Sequence, residues 1–175
     1  MSRIDSDDPN LLQALAAVFV HGDPRSDRFT AQMARQALLF PVEYHLSETY
    51  FLALGNAAQE VGDADAFFGW ADGAAGEVAE VQRIDMVFSQ YMSAASHPIQ
   101  AFLVSPRGRW GVRTTDERVA LVGGDEAFVE ALFALLDEPE VEHIRRFAEY
   151  VDEELSEGGA DHDRARGLLR SVADD

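Results

Sequence analysis

The excess of acidic side chains constrains the folding of this chain more than any other feature of its sequence. Thirty-two Asp and Glu residues stand against fourteen basic residues, all of them Arg, and the formal charge is −18 at pH 7. Self-repulsion of this size opposes compaction, whereas salt shortens the screening length from about 8 Å at physiological ionic strength to about 3 Å at 1 M. We therefore expect the fold to depend on salt.

Two explanations of this composition stay open. Carboxylates remain hydrated where water is scarce, while each Lys would add an apolar stem, so many acids without Lys are typical of a salt-adapted microbe. In the alternative, a genome rich in G and C replaces Lys by Arg through codon usage, and the acids serve as a solubility device or an interaction surface.

The apolar content indicates a folded domain rather than a disordered polyanion. Hydrophobic residues make up 47% of the 175 residues, and eleven Phe are enough for a sizeable core. The absence of Cys excludes disulfides, thiolate nucleophiles and cysteine metal sites. Because the apolar run 11–20 is too short to span a bilayer and lacks a signal-peptide flank, we expect a cytoplasmic protein without membrane contact.

Hydrophobic periodicity predicts an α+β fold with N-terminal helices, a small three-stranded antiparallel meander over about residues 99–122, and acidic C-terminal helices. The predicted helices before the meander cover 9–20, 29–41, about 47–61, part of 64–76 and, in preference to a strand, 77–92. Two more begin at Asp125 and Pro139. We predict an acidic leader at 1–8, a single α+β domain at 9–157, and a separable acidic helix or tail at 158–175.

The basic residues are unevenly distributed. Four arginines, including Arg107, Arg109 and Arg113, lie in or beside the predicted meander with Trp110 among them, whereas 36–82 has eight carboxylates and no Arg. Guanidinium groups bind anions bidentately and Trp is a favoured interface anchor, so Arg107, Arg109, Trp110 and Arg113 are candidate partner-binding residues. The alternative is that these arginines pair with acidic residues of their own domain, and the acid excess favours it.

Three other sequence features resemble functional sites. Residues 54–70 resemble a helix-turn-helix unit, but the second helix would carry Asp63 and Asp65 and no basic residue, which argues against direct nucleic-acid binding. Glu140 and His143 have the Glu-x-x-His spacing of di-iron bundles, yet one pair is not a site, and a solvated helix face is the favoured interpretation. The aromatic residues Phe67, Phe68 and Trp70 are interpreted as core rather than as an exposed patch.

Part of the chain resembles a known class of protein. Residues 99–136, the predicted meander followed by a helix beginning at Asp125-Glu126, are similar to the closing segment of ligand-sensing domains in haloarchaeal transcription regulators. This resemblance implies a regulatory protein without a DNA-binding element of its own.

No catalytic, cofactor-binding or metal-binding motif is present with the spacing its chemistry requires, so we predict no catalytic residue, no cofactor and no metal. The expected function is a non-catalytic cytoplasmic interaction or regulatory protein of a salt-adapted microbe. Its partner would be another protein, with a homodimer as one form. The alternatives are an acidic inhibitor, either a toxin immunity protein or a DNA mimic, and an enzyme without a recognisable motif.

Overall fold

The computed structural model describes residues 2–71, 78–95, 100–155 and 159–173, which form one antiparallel sheet with helices on both faces. The strands are β1 (Ser2–Arg3), β2 (Arg35–Leu39), β3 (Asp65–Ala71), β4 (Val78–Asp85), β5 (Ala101–Val104), β6 (Trp110–Thr114) and β7 (Ala120–Gly124). The α-helices are α1 (Pro9–Val18), α2 (Glu48–Glu60), α3 (Phe88–Ala94), α4 (Glu126–Phe133), α5 (Glu140–Glu154) and α6 (Ala160–Ala173).

The sheet is larger than predicted. Its seven strands run in the order β1-β4-β3-β5-β6-β7-β2, and each neighbouring pair is antiparallel. The α+β class is confirmed, but the prediction of a small three-stranded meander is wrong. Strands β5, β6 and β7 are the middle of the sheet, because β3 pairs with β5 on one side and β2 pairs with β7 on the other.

Two apolar layers cover the two faces of the sheet. One layer joins Leu103, Trp110 and Val122 of the sheet to residues of α2, α3 and α4. The other joins Phe102, Val104 and Leu121 to residues of α1, α5 and α6. Successive strand residues point to opposite faces, so β5, β6 and β7, which have an apolar layer on each face, are buried along their whole length. Phe67, Phe68 and Trp70 are core residues, as predicted.

The predicted helix starts that have a capping residue are confirmed. The side chain of Ser47 accepts a hydrogen bond from the N–H of Tyr50 at the start of α2, and Asp125 accepts one from Phe128 at the start of α4. Pro9 is the first residue of α1. Pro139 directly precedes α5.

Three predicted helices are wrong. Within 29–41 the structure has β2, within 64–76 it has β3, and within 77–92 it has β4 followed by the short α3; residues 72–77 lie outside the described ranges. Residues 54–70 contain the end of α2 followed by strand β3, so the helix-turn-helix interpretation is also wrong. A strand that is buried on both faces has apolar residues at successive positions instead of an apolar–polar alternation. Periodicity alone does not distinguish such a run from a buried helix.

The acidic leader contributes to the sheet. Ser2 and Arg3 pair with Arg83 and Gln82 of β4, and the N–H of Ile4 donates to the carbonyl of Val81 at 2.7 Å. Among the described residues, no helix combines the length and apolarity needed to cross a bilayer.

Candidate functional site

The structure does not bring the four predicted partner-binding residues to one surface. Arg107 and Arg109 lie in the turn between β5 and β6, while Trp110 and Arg113 are three residues apart within β6 and so point to opposite faces of the sheet. Trp110 is fully buried and its ring stacks on Phe128, with centroids 5.3 Å apart and planes 6° apart. Arg113 is 1% exposed.

A buried carboxylate fixes the tip of the β5–β6 hairpin. Asp63 follows α2 and is 4% exposed. Its Oδ2 accepts hydrogen bonds from Ser105 Oγ at 2.6 Å and Trp110 Nε1 at 3.0 Å, and its Oδ1 accepts one from Arg107 Nε at 2.7 Å. Charge-assisted hydrogen bonds of this kind are the strong ones, so the hairpin is held against the end of α2.

Arg109 connects the same hairpin to two helices. Its Nη1 donates to the carbonyl of Val61 at 2.6 Å, and its Nη2 donates to Oδ2 of Asp125 at 3.0 Å. Arg107 and Arg109 therefore have partners inside the domain, although about half of each side chain remains exposed. Partner binding by these two arginines stays a prediction.

A charged network lies beneath the opposite face of the sheet. Arg113 donates to Asp27 through Nη1 and to Oε1 of Gln100 through Nη2 at 2.7 Å. Arg164 of α6 reaches Asp27 at 3.5 Å and Glu117 at 3.1 Å. Burial lowers the pKa of Arg113, and the Asp27 carboxylate opposes that shift. Arg113 Nε and Glu117 Oε2 are buried without a hydrogen-bond partner among the described residues.

An open cavity of about 620 Å³ borders this network. We call it the arginine groove, and its polar lining is Asp27, Arg28, Gln36, Arg164, Arg170 and Ser171. Arg28 comes from the segment after α1, and Arg164 and Arg170 come from α6. The groove therefore combines three guanidinium groups with one carboxylate, in a chain where acids outnumber arginines by more than two to one.

Two of the groove arginines differ from most others in the protein. Eleven of the fourteen arginines have a carboxylate of the described residues within 4 Å. The three without one in that part of the chain are Arg3, Arg28 and Arg170, all exposed. Arg28 and Arg170 line the same groove, so their positive charges are available to an anion from outside.

The Glu140/His143 pair is not a solvated helix face, and that interpretation is wrong. His143 is 1% exposed, and its Nδ1 lies 2.9 Å from the carbonyl oxygen of Phe40. Glu140 forms an ion pair with Arg35 instead of turning towards His143. No three His, Asp or Glu side chains of the described ranges are grouped so that they could hold a metal ion.

The groove was not found from the sequence, although part of its signal was present. Helical spacing places Arg164, Leu168 and Ser171 on one side of α6. That side carries a positive charge next to an apolar side chain. The spacing does not show that Arg28, more than 130 residues earlier, lies opposite that face. Comparison of the chain with protein-family models, curated proteins and solved structures found no match.

Proposed function

We propose that this chain is a non-catalytic interaction protein that binds another protein, and that it works in the cytoplasm of a salt-adapted microbe. The observation that carries the proposal is the pair of exposed arginines, Arg28 and Arg170, that share one groove and have no carboxylate partner in the described part of the chain. An acid-rich protein pairs its arginines easily, so two arginines in one groove without a carboxylate partner among the described residues favour an external anionic partner.

The proposal assigns different roles to the two sets of arginines. Arg107, Arg109 and Arg113 bind carboxylates or carbonyls within the domain and hold its elements together. Arg28 and Arg170 have no carboxylate partner within the described ranges, so their positive charges at an open groove support recognition rather than stability. The remaining negative surface keeps the protein hydrated and apart from other acidic proteins.

A second candidate, an acidic inhibitor of a basic partner, is favoured by the net charge of −18. Its contacts would come from exposed carboxylates such as Glu153 and Glu154 of α5, rather than from the groove. Salt screens the long-range attraction between exposed charges on two proteins, so this binding would be lost at molar KCl.

The test is affinity capture from a lysate of the native host, run at molar KCl and at physiological salt, with co-purifying proteins identified by mass spectrometry. We expect a stoichiometric partner that is retained at molar KCl, because bidentate arginine–carboxylate hydrogen bonds act at short range and are weakened less by salt than a long-range attraction between net charges. Capture at physiological salt alone would favour the acidic inhibitor. The absence of any partner under both conditions, with a single molecular mass for the monomer in light scattering, would contradict the proposed function.

A further inference from the structure

We infer that the arginine groove binds an acidic segment of the partner protein, with one carboxylate on Arg28 and another on Arg170. This inference rests on the proposed function, and it specifies which chemistry of the partner is recognised. Both guanidinium groups are exposed and lack a carboxylate partner among the described residues, and both line the same cavity. Each can bind a carboxylate through two parallel N–H···O hydrogen bonds.

The two sides of the groove are held in place before any ligand arrives. The segment with Arg28 is attached to the end of α1, because Val20 N–H donates to the carbonyl of Arg28 at 3.3 Å and Thr30 N–H donates to the carbonyl of Val18 at 2.9 Å. Ordering the site in advance reduces the entropy lost on binding. These backbone hydrogen bonds therefore hold the Arg28 side of the groove in place before the ligand binds.

The buried network connects that segment to α6. Asp27, the neighbour of Arg28, pairs with Arg113 of the sheet and with Arg164 of α6. Arg164 also pairs with Glu117, so two of its nitrogens are already used. Arg164 thus positions the side of the groove that carries Arg170, and its charge adds to the local positive field without being the first contact for the ligand.

The charges and size of the groove favour an acidic peptide over other anions. A nucleic acid is usually held by many phosphate contacts, whereas this groove has two arginines without a carboxylate partner in the described part of the chain, in a molecule of charge −18. A small anionic metabolite would need an enclosing pocket, but Arg28 and Arg170 are both exposed at an open cavity. A short segment with two acidic side chains needs only these two arginines.

The experiment uses the full chain and a fluorescein-labelled hexaglutamate peptide, with binding measured by fluorescence anisotropy at the lowest KCl concentration that keeps thermal unfolding cooperative. The variants are Arg28→Glu, Arg170→Glu and the matched control Arg3→Glu. Arg3 is the other exposed arginine without a carboxylate partner in the described ranges, and it lies at the far edge of the sheet. Each variant changes the net charge equally, so the control removes the general effect of charge.

We expect each groove variant to weaken peptide binding by about tenfold or more, and Arg3→Glu by less than about twofold. The same groove variants should lose the partner captured from lysate. Arg28→Gln and Arg170→Gln give the same comparison without a charge reversal, and cooperative unfolding of every variant shows that it is folded.

Several results would overturn the inference. Equal weakening by all three reversals would show that only net charge matters. Inorganic phosphate binding that depends on Arg28 and Arg170, without peptide binding, would make the groove a small-anion site. A captured partner that every groove variant retains would reject this inference while leaving the proposed function intact, and no captured partner at all would reject the proposed function itself.

Discussion

At the residue scale, the arginines of this protein act mainly as internal connectors. Asp63 shows the principle most clearly, since a single buried carboxylate accepts hydrogen bonds from a hydroxyl, an indole and a guanidinium group. Burying a charge costs free energy, and ion pairing and hydrogen bonds such as those of Asp63 offset that cost. The sequence showed that carboxylates were abundant enough to pair with Arg107 and Arg109, but which carboxylate would be buried depended on the packing of the hairpin against α2.

Replacement of Asp63 by Ala should therefore destabilise the fold strongly. The change leaves Ser105, Arg107 and the buried Trp110 indole without their acceptor, and we expect the free energy of unfolding to fall by about 3 kcal/mol. Urea unfolding at constant KCl measures it. The control is Glu153→Ala on the exposed face of α5, with an expected change within about 0.5 kcal/mol. A loss at Asp63 no larger than in the control would show that the network contributes no stability.

At the element scale, burial on both faces explains why the sequences of β2 and β3 predict helices, and an irregular backbone explains it for β4. In β2, Ala37 and Leu39 enter one apolar layer while Leu38 enters the other, so the strand has no polar side to reveal its period. In β4, Val78 and Val81 are three residues apart but pack on the same layer. Glu80 between them has φ +53°, and this irregular backbone gives a strand the apolar spacing of a helix.

Two glycines should respond in opposite ways to the same substitution. A Cβ on Gly123 of β7 would lie 2.5 Å from Cγ of Phe29, so Gly123→Ala should lower the free energy of unfolding by about 1–3 kcal/mol. A Cβ on Gly167 of α6 would meet no atom within 4 Å, so Gly167→Ala should raise it by about 0.5–1 kcal/mol through helix propensity. Thermal unfolding of both variants tests the packing of the sheet and the helical state of α6; stabilisation by Gly123→Ala would contradict the close approach of Phe29.

At the scale of the whole molecule, the net charge is −18, and eleven arginines form ion pairs with carboxylates of the described residues. Acids without an arginine partner among the described residues, such as Glu48, Glu60 and Glu130, are exposed, and salt screens their mutual repulsion. The segment 158–175 was predicted as separable, and its helix α6 places Ala165, Leu168 and Val172 in the same layer as Phe147. The prediction that the rest of the domain folds without this segment stays a prediction, and a chain truncated before residue 158 would test it.

The charge predicts a large effect of salt on stability. Between low and molar KCl, the midpoint of thermal unfolding should rise by about 10 °C or more, since screening removes several kcal/mol of self-repulsion from the folded state. Circular dichroism or calorimetry over a KCl series measures it, with an equal osmolality of sucrose as the control for general solvent effects. A midpoint insensitive to KCl would favour the explanation from codon usage over salt adaptation.

The sequence by itself determined the acidic charge, the α+β class, and the helix starts at Pro9, at Ser47 or Thr49, and at Asp125, because composition, capping and turn chemistry are local properties. It also identified Phe67, Phe68 and Trp70 as core. Tertiary structure decided the seven-stranded sheet and the identity of its outer strands, because strand pairing joins residues far apart in the chain. It alone brought Arg28 and Arg170 to one groove, since a shared groove for residues 142 positions apart depends on how α6 packs on the sheet rather than on any local pattern.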